Sequence, residues 1–297
     1  SRDKLVSIEV IEGSQVSDVF LGDTNANTFR GNEGADEFTG GGAVDVLEGD
    51  SGNDTFYETT SDGADIIDGG ADSDTVDYSN LSTSVNVRLN GEEFATVTID
   101  GTDSDTIKKV ENITGGSAAD ILVGDNFANT LIGGGDSDQL TGLQNIDSLN
   151  GGAGNDIFYA GIDADEDGVL EGGELLIDGD DGADVIDGGD DKDTLDYSLI
   201  SKKIVADLNG STASDVEIND YQNDSVKNIE DIIAGSGNDT LSGDSNANTL
   251  TGGAGDDKLD GEGTTFGTDS LIGGAGDDTF VVRDTGNYCI RWNRWKC

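Results

Sequence analysis

The sequence predicts an all-β protein in which the chain winds into a solenoid of stacked parallel coils. Three observations carry that prediction. A nine-residue unit recurs in constant phase, its glycines and aspartates crowd the first six positions, and one apolar residue stands alone at the eighth. Gly151–Tyr159 reads GGAGNDIFY, Gly252–Asp260 reads GGAGDDKLD and Gly273–Val281 reads GGAGDDTFV. Cut every nine residues from Gly13, the chain yields GSQVSDVFL, GDTNANTFR, GNEGADEFT, GGGAVDVLE and GDSGNDTFY. The same phase runs from Gly115 and from Ala234, the last set interrupted by GEG at Gly261–Gly263. Position six is Asp or Asn and position eight Leu or Phe throughout these sets.

The phase decides against disorder, which composition alone would favour. Among 297 residues, Asp and Glu number 63 against 15 Lys and Arg, for a net charge of −48, and only 33% are hydrophobic. Acidic chains this poor in apolar residues rarely bury enough surface to fold. The same charge excludes nucleic acid and anionic membrane surfaces as partners. No stretch approaches the ~18 apolar residues of a membrane span. With no His, the Ser-His-Asp and Cys-His nucleophile systems and the His-bearing zinc motifs are absent. Ser1 opens no recognisable secretion leader and the first residues already look like repeat interior, so the chain is expected to be part of a longer one.

Each nonamer reads as a six-residue turn followed by a three-residue strand. Glycine supplies positive φ and close backbone approach in the turn. The eighth residue points one way and its polar neighbours the other, as strand pleating requires. Three residues make no stable strand alone; stacked on copies above and below they form parallel ladders around a thin apolar core. Two nonamers close one coil, so residues 18 apart lie over one another at a strand spacing of ~4.8 Å. Asp36 then lies over Asp18 and Asp54 over Asp36, with Asp120, Asp138 and Asp156 forming a second column. Carboxylates stacked this closely repel and call for a cation. A hard, all-oxygen donor set without His selects Ca²⁺ over zinc or copper, and over the smaller, strictly octahedral Mg²⁺.

On these residues the chain resembles the RTX (haemolysin-type calcium-binding) repeat family, whose unit is G-G-x-G-x-D-x-U-x. The resemblance implies a parallel β-roll with Ca²⁺ between turns, export by a type I secretion route, and folding triggered by Ca²⁺ outside the cell. It implies ligands from the sixth-position carboxylate and the carbonyls of positions two and four. Carried over, these are Gly152, Gly154 and Asp156; Gly253, Gly255 and Asp257; and Gly274, Gly276 and Asp278. The other repeats add Asp18, Gly34, Asp36, Asp45, Gly52, Asp54, Asp120, Asp138, Asp147, Gly237, Asp239 and Asp269. Asn27, Asn129 and Asn248 replace the aspartate, which predicts weaker or merely structural turns there. Leu143, Asn145 and Val44 displace consensus glycines, and the GEG insertion shifts the 18-residue column.

The nonamers sit inside a longer unit. Segments beginning at Glu9, Glu111 and Glu230 resemble one another, and Asp62–Ser79 returns as Asp181–Ser198. These segments add looser repeats with Asp65, Asp74, Asp184 and Asp193 at the ligand position. From Ser84 and Lys203, alternating residues with Asn-Gly at Asn90–Gly91 and Asn209–Gly210 predict hairpin-like spacers that cover the roll or extend it. Asp163, Asp165, Asp167, Val169 and Glu174 match the EF-hand loop pattern and predict one further Ca²⁺ site. The expected divisions are a first roll at 7–79, spacer strands at 80–108, a second roll at 109–198 with the loop at 163–174, spacer strands at 199–227, a third roll at 228–282, and an atypical tail at 283–297. That tail, YCIRWNRWKC, reads as a frameshift artefact or unstructured end; the alternative is a loop closed by a Cys289–Cys297 disulfide.

These readings lead to a calcium-binding, calcium-folded repeat region of a secreted or surface protein. Its partners are calcium ions and, through a C-terminal signal beyond this sequence, the type I secretion machinery. No nucleophile stands with a base, so no catalysis is expected in this chain. The alternatives are the non-catalytic part of a larger secreted enzyme or toxin, or the stalk of an adhesin or surface-layer protein.

Overall fold

The computed structural model describes residues 10–59, 63–159, 183–219, 221–262, 268–281 and 289–291, and all regular structure among them is β-strand. The chain forms two compact units, Ser1–Gly135 and Asp136–Cys297. In both, successive strands alternate between two sheets, so that each coil contributes one strand to each. The architecture is a parallel β-roll interrupted by antiparallel meanders.

In the first unit, one sheet stacks Val19–Leu21, Glu37–Thr39, Thr55–Tyr57, Thr75–Asp77, Asn112–Thr114 and Thr130–Gly135, all parallel. The register places Phe20, Phe38 and Phe56 over one another, with ring centroids 4.8 Å apart. That separation equals the strand spacing, so identical side chains stack face to face by default. Val76, Ile113 and Leu131 continue the ladder, each fully buried. The opposing sheet contributes Phe29, Leu47, Ile67 and Ile107, also buried. The flanking strand residues face outward, where Glu12, Arg30, Glu48, Asp68 and Lys108 follow one another in register. Arg30 Nε donates to Glu48 at 2.6 Å and Lys108 Nζ reaches Asp68 at 2.9 Å. The few cations of this acidic chain thus interrupt an outer acidic ladder.

The first spacer extends the roll rather than covering it. Thr102–Lys108 stacks parallel on Ile66–Ala71, Ala95–Ile99 runs antiparallel between it and Val85–Arg88, and Val85–Arg88 meets Ile121–Val123 in parallel. The chain therefore runs ahead, doubles back, and resumes. Asn90–Gly91 opens a wide turn, Glu93 N–H donating to the Asn90 carbonyl at 3.1 Å. The tight two-residue hairpin lies instead at Asp100–Gly101, both with positive φ (52° and 70°), as a type I′ turn requires.

The second unit repeats this plan with the sheets exchanged. Gln139–Thr141, Ile157–Tyr159, Thr194–Asp196, Asp231–Ile233, Thr249–Ala254, Ser270–Ala275 and Cys289–Arg291 form the uninterrupted parallel sheet. The other sheet carries the meander Tyr221–Lys227, Ser214–Ile218 and Ile204–Asp207. The GEG insertion shifts the column by three residues, as the sequence indicates, without breaking it. Asn248 N–H still reaches Asp269 Oδ1 (3.1 Å) and Asp257 N–H reaches Asp278 Oδ1 (3.1 Å), at a separation of 21 rather than 18. The extra residues leave the stacked positions in place. The EF-hand-like residues Asp163, Asp165, Asp167, Val169 and Glu174 lie outside the described residues. Of the tail, Cys289–Arg291 pairs in parallel with Ser270–Ala275.

Candidate metal centres

The stacked aspartates meet through the main chain. Along the columns, Oδ1 of a sixth-position aspartate accepts the backbone N–H of the sixth-position residue in the preceding coil; after a meander, Asp120 and Asp239 instead accept that of Val85 and Ile204 (both 2.7 Å). Asp18 donates to Asp36 at 2.7 Å, Asp36 to Asp54 and Asp54 to Asp74 at 2.8 Å. Asn27 donates to Asp45 at 2.6 Å and Asp45 to Asp65 at 2.8 Å. In the second unit, Asp138 donates to Asp156, Asp156 to Asp193 and Asp239 to Asp257, each at 2.8 Å, and Asp147 to Asp184 at 2.9 Å. The column drawn from sequence at Asp18, Asp36 and Asp54 is thus present, and Oδ1 of Asp36 and of Asp54 is committed to it.

What the second oxygen does divides the turns into two kinds. In the first kind, positions two and four both take positive φ. Gly152 and Gly154 do so at 102° and 127°. The turns at 31–36, 40–45, 49–54, 69–74, 133–138, 142–147, 188–193, 252–257 and 273–278 share this pattern. Call these open turns. Oδ2 of Asp36, Asp54, Asp74, Asp156, Asp193 and Asp257 is buried there with no hydrogen-bond partner, on residues no more than 1% exposed. A buried polar atom left this way costs on the order of 1–3 kcal/mol, more when charged.

The second kind is closed by its own side chains. At 13–18, 22–27, 115–120, 124–129 and 243–248 no residue takes positive φ, and the position-two N–H donates to the sixth side chain. Ser14 donates to Asp18 (2.6 Å) and Gly116 to Asp120 (2.7 Å). Asp23 donates to Asn27 (3.1 Å), Asp125 to Asn129 and Asp244 to Asn248 (both 2.8 Å). In the three asparagine turns, the position-two aspartate also accepts the N–H of position four, at 2.8, 2.8 and 2.7 Å, an Asx turn. In three open turns the position-three N–H takes the position-two carbonyl of the turn below: Gly42 to Asp23, Gly135 to Gly116 and Ala254 to Gly235. The turn at 234–239 belongs to neither kind. It has no positive φ, yet Asp239 Oδ2 is orphaned.

The open turns fit a calcium ion by three tests. The orphaned Oδ2 is a hard anionic donor. Beside it the first-position glycine leaves a cradle: a Cβ on Gly31 would overlap Asp36 Oδ2 and lie 2.6 Å from the Gly49 carbonyl, and one on Gly151 would overlap Asp156 Oδ2 and lie 2.6 Å from the Gly188 carbonyl. The carbonyls of positions two and four also point into the gap between coils. Gly34 O faces Gly52, Gly152 O faces Gly189, Gly253 O faces Gly274 and Gly255 O faces Gly276. Among the described residues no three acidic side chains converge, so carbonyls must supply most of the 6–8 oxygens that Ca²⁺ takes.

Electrostatics agree. Burial pushes Asp54 up to about 6, Asp193 to about 7 and Asp74 to about 8, and the charges of stacked neighbours add to it, Asp36 acting on Asp54 and Asp54 on Asp74. Asp36, Asp156 and Asp257 are raised for the same first cause. Burial thus opposes ionisation of these carboxylates, and a bound cation would offset that cost.

Model matches to the RTX calcium-binding nonapeptide repeat cover residues 21–56, 59–80, 114–149, 138–166, 176–198, 232–263 and 264–282, together more than half of the chain. The chain belongs to this family. No curated protein matches it. The RTX repeat is a calcium-binding, non-catalytic module, and proteins that carry it are typically secreted.

The structure adds column members that the glycine pattern did not reveal. Glu111 and Glu230 accept the N–H of Asp74 (2.8 Å) and Asp193 (3.0 Å) through Oε2. Asp105 and Asp224 accept those of Asp65 (3.0 Å) and Asp184 (3.2 Å). All four lack glycine turns; the legible signal was the acidic-x-apolar triad, as in Asp105-Thr106-Ile107. One assignment needs correction. The residue forced into a glycine conformation at 40–45 is Ala43 (φ 98°), at position four, and not Val44. Leu143 (73°) and Asn145 (71°) do adopt the open-turn conformation despite their side chains.

Proposed function

We propose that this RTX region binds calcium between successive open turns and folds as it does so, outside the cell. The ligands at one junction are the Oδ2 atoms of stacked aspartates, such as Asp36, Asp54 and Asp74, with turn carbonyls including those of Gly34 and Gly52. In the second unit they come from Gly152, Gly154, Asp156 and Asp193, and from Gly253, Gly255, Asp257, Gly274, Gly276 and Asp278. Asp45, Asp65, Asp138, Asp147, Asp184 and Asp269 stand in the same columns. The single observation that carries this reading is the repeated burial of a carboxylate oxygen with no donor, at Asp36, Asp54, Asp74, Asp156, Asp193 and Asp257 of the open turns and at none of the closed ones.

Calcium, when bound, cancels carboxylate charge and bridges coils. The rest follows from the chain. At a net charge of −48 the ion-free polypeptide repels itself and stays extended, a state suited to export through a channel. Extracellular calcium modules bind at about 10⁻⁴–10⁻³ M, so the ion is absent before export and present after it. Binding free energy then becomes folding free energy. The wider reading, with type I secretion through a C-terminal signal and three rolls divided at 7–79, 109–198 and 228–282, rests on the same module. So does attachment to a larger secreted enzyme, toxin or adhesin. The duplication of segments at Glu111 and Glu230 favours a spacer or stalk among these. Far-UV circular dichroism tests the core of the proposal: β-structure in millimolar Ca²⁺ and its loss in chelator support it, and identical spectra refute it.

A further inference from the structure

Two buried carboxylates in the columns are partnered in a different way. Asp105 is fully buried; its Oδ1 accepts Asp65 N–H, and its Oδ2 accepts the hydroxyl of Tyr78 at 3.3 Å. Asp224, 2% exposed, repeats the arrangement: Oδ1 accepts Asp184 N–H and Oδ2 accepts the hydroxyl of Tyr197. Both tyrosines are fully buried and stand 27 residues before their aspartate. Each is fixed by its backbone, Tyr78 N–H donating to the Thr114 carbonyl (2.8 Å) and Tyr197 N–H to that of Ile233 (2.7 Å). The neighbourhood differs as well. Beyond Thr102–Lys108 the sheet continues with the antiparallel strand Ala95–Ile99, and beyond Tyr221–Lys227 with Ser214–Ile218. Neither neighbour brings an open turn of the nonamer kind, and the glycine carbonyls beside them, Gly91 and Gly210, accept the N–H of Lys109 and Asn228 (both 2.7 Å).

We propose that Tyr78 and Tyr197 are built-in stoppers: each hydroxyl stands at Asp105 or Asp224 where the open turns leave a carboxylate oxygen for an ion. Those two junctions therefore take no calcium, and each ends a block of calcium-binding coils. The inference rests on the calcium reading above and sharpens it, because it fixes which acidic column members do not count as sites. A phenol is a neutral donor already present in the unfolded chain, so these junctions close at any calcium concentration and set the boundary from which ion-dependent coils stack.

Native mass spectrometry of the full chain in millimolar Ca²⁺, with equilibrium dialysis for the free ion, tests it. Asp105→Asn and Asp224→Asn keep the number of bound ions of the parent, whereas Asp54→Asn and Asp156→Asn lower it by at least one. Tyr78→Phe and Tyr197→Phe, close to isosteric, keep the ion number but raise the calcium midpoint for folding by up to about tenfold, since the buried oxygen loses its donor. Loss of ions in Asp105→Asn or Asp224→Asn equal to that in Asp54→Asn overturns the stopper. So does an unchanged midpoint in both tyrosine variants. A parent chain that binds no calcium at all would instead defeat the reading on which this one rests.

Discussion

The turn at 49–54 and the turn at 124–129 have the same length, the same phase and the same place before a strand, yet opposite requirements. In the first, Asp50 and Gly52 take positive φ (71° and 118°) and Asp54 Oδ2 is buried without a donor. In the second no residue takes positive φ, and Asp125 and Asn129 supply hydrogen bonds from within the turn. The nine-residue spacing therefore builds the coil, while in these two turns backbone handedness at positions two and four goes with whether the sixth side chain is satisfied from within the turn. Glycine content alone does not: Gly115 and Gly116 open a closed turn.

The largest expected effect separates the two kinds directly. On the proposed reading Asp54→Ala removes a ligand shared by two junctions, and it should raise the calcium midpoint of folding more than tenfold with loss of at least one bound ion. Asp120→Ala, in a closed turn, removes hydrogen bonds from Gly116 and Val85, so it should cost about 1–2 kcal/mol with an unchanged ion count. Calorimetric titration reads both. Equal ion loss in the two variants would erase the distinction.

The second effect is on pH. In the metal-free chain the folded-state values of Asp54, Asp193 and Asp74 stand at about 6, 7 and 8, above the ordinary ~3.9 of an unfolded aspartate. A raised carboxyl contributes folded-state stability that is fully present below ~pH 4 and is lost as pH rises through the folded values. Residual β-structure in chelator should therefore be greatest in acid and disappear between about pH 6 and 8. Calcium reverses the slope, because it takes the deprotonated carboxylate, so its affinity should rise over the same window. Circular dichroism across pH 4–9, with and without the ion, distinguishes these trends; a flat response in chelator would contradict the buried, unpartnered state of the open turns.

The smallest effect concerns Ala43, which holds an open turn at φ 98°. An L-residue there costs roughly 1–2 kcal/mol of backbone strain, and glycine loses roughly 0.5–1 kcal/mol of entropy in exchange. Ala43→Gly should then stabilise the calcium-loaded form by about 0.5 kcal/mol in denaturant titration. A destabilised variant would mean that the alanine methyl contributes packing that outweighs the strain.

Much of this was legible in sequence because one periodicity encodes both core and column. A lone Phe or Leu at position eight fixes which face is buried, and Phe20, Phe38 and Phe56 stack as that rule requires. Asp36 and Asp54 fall into line for the same reason. Less legible were members that reach the column across insertions. Asp65 meets Asp105 at a separation of 40 and Asp74 meets Glu111 at 37, distances set by the meander and not by the nonamer. The closed turns were only half visible. Asn27, Asn129 and Asn248 stood out as substitutions, but the aspartates at position two that satisfy those turns read as ordinary members of an acidic chain. Asp18 and Asp120 carry the ligand residue type and differ only in backbone conformation, which residue identity at position six does not report.

The most direct measurement is anomalous X-ray scattering from a crystal of this chain grown in calcium. The account predicts peaks between stacked open turns, at Asp36 with Asp54, Asp54 with Asp74, Asp156 with Asp193, and Asp257 with Asp278, and none at Asn27, Asn129 or Asn248. Peaks distributed over both kinds of turn, or open turns whose aspartates meet no ion, would contradict it.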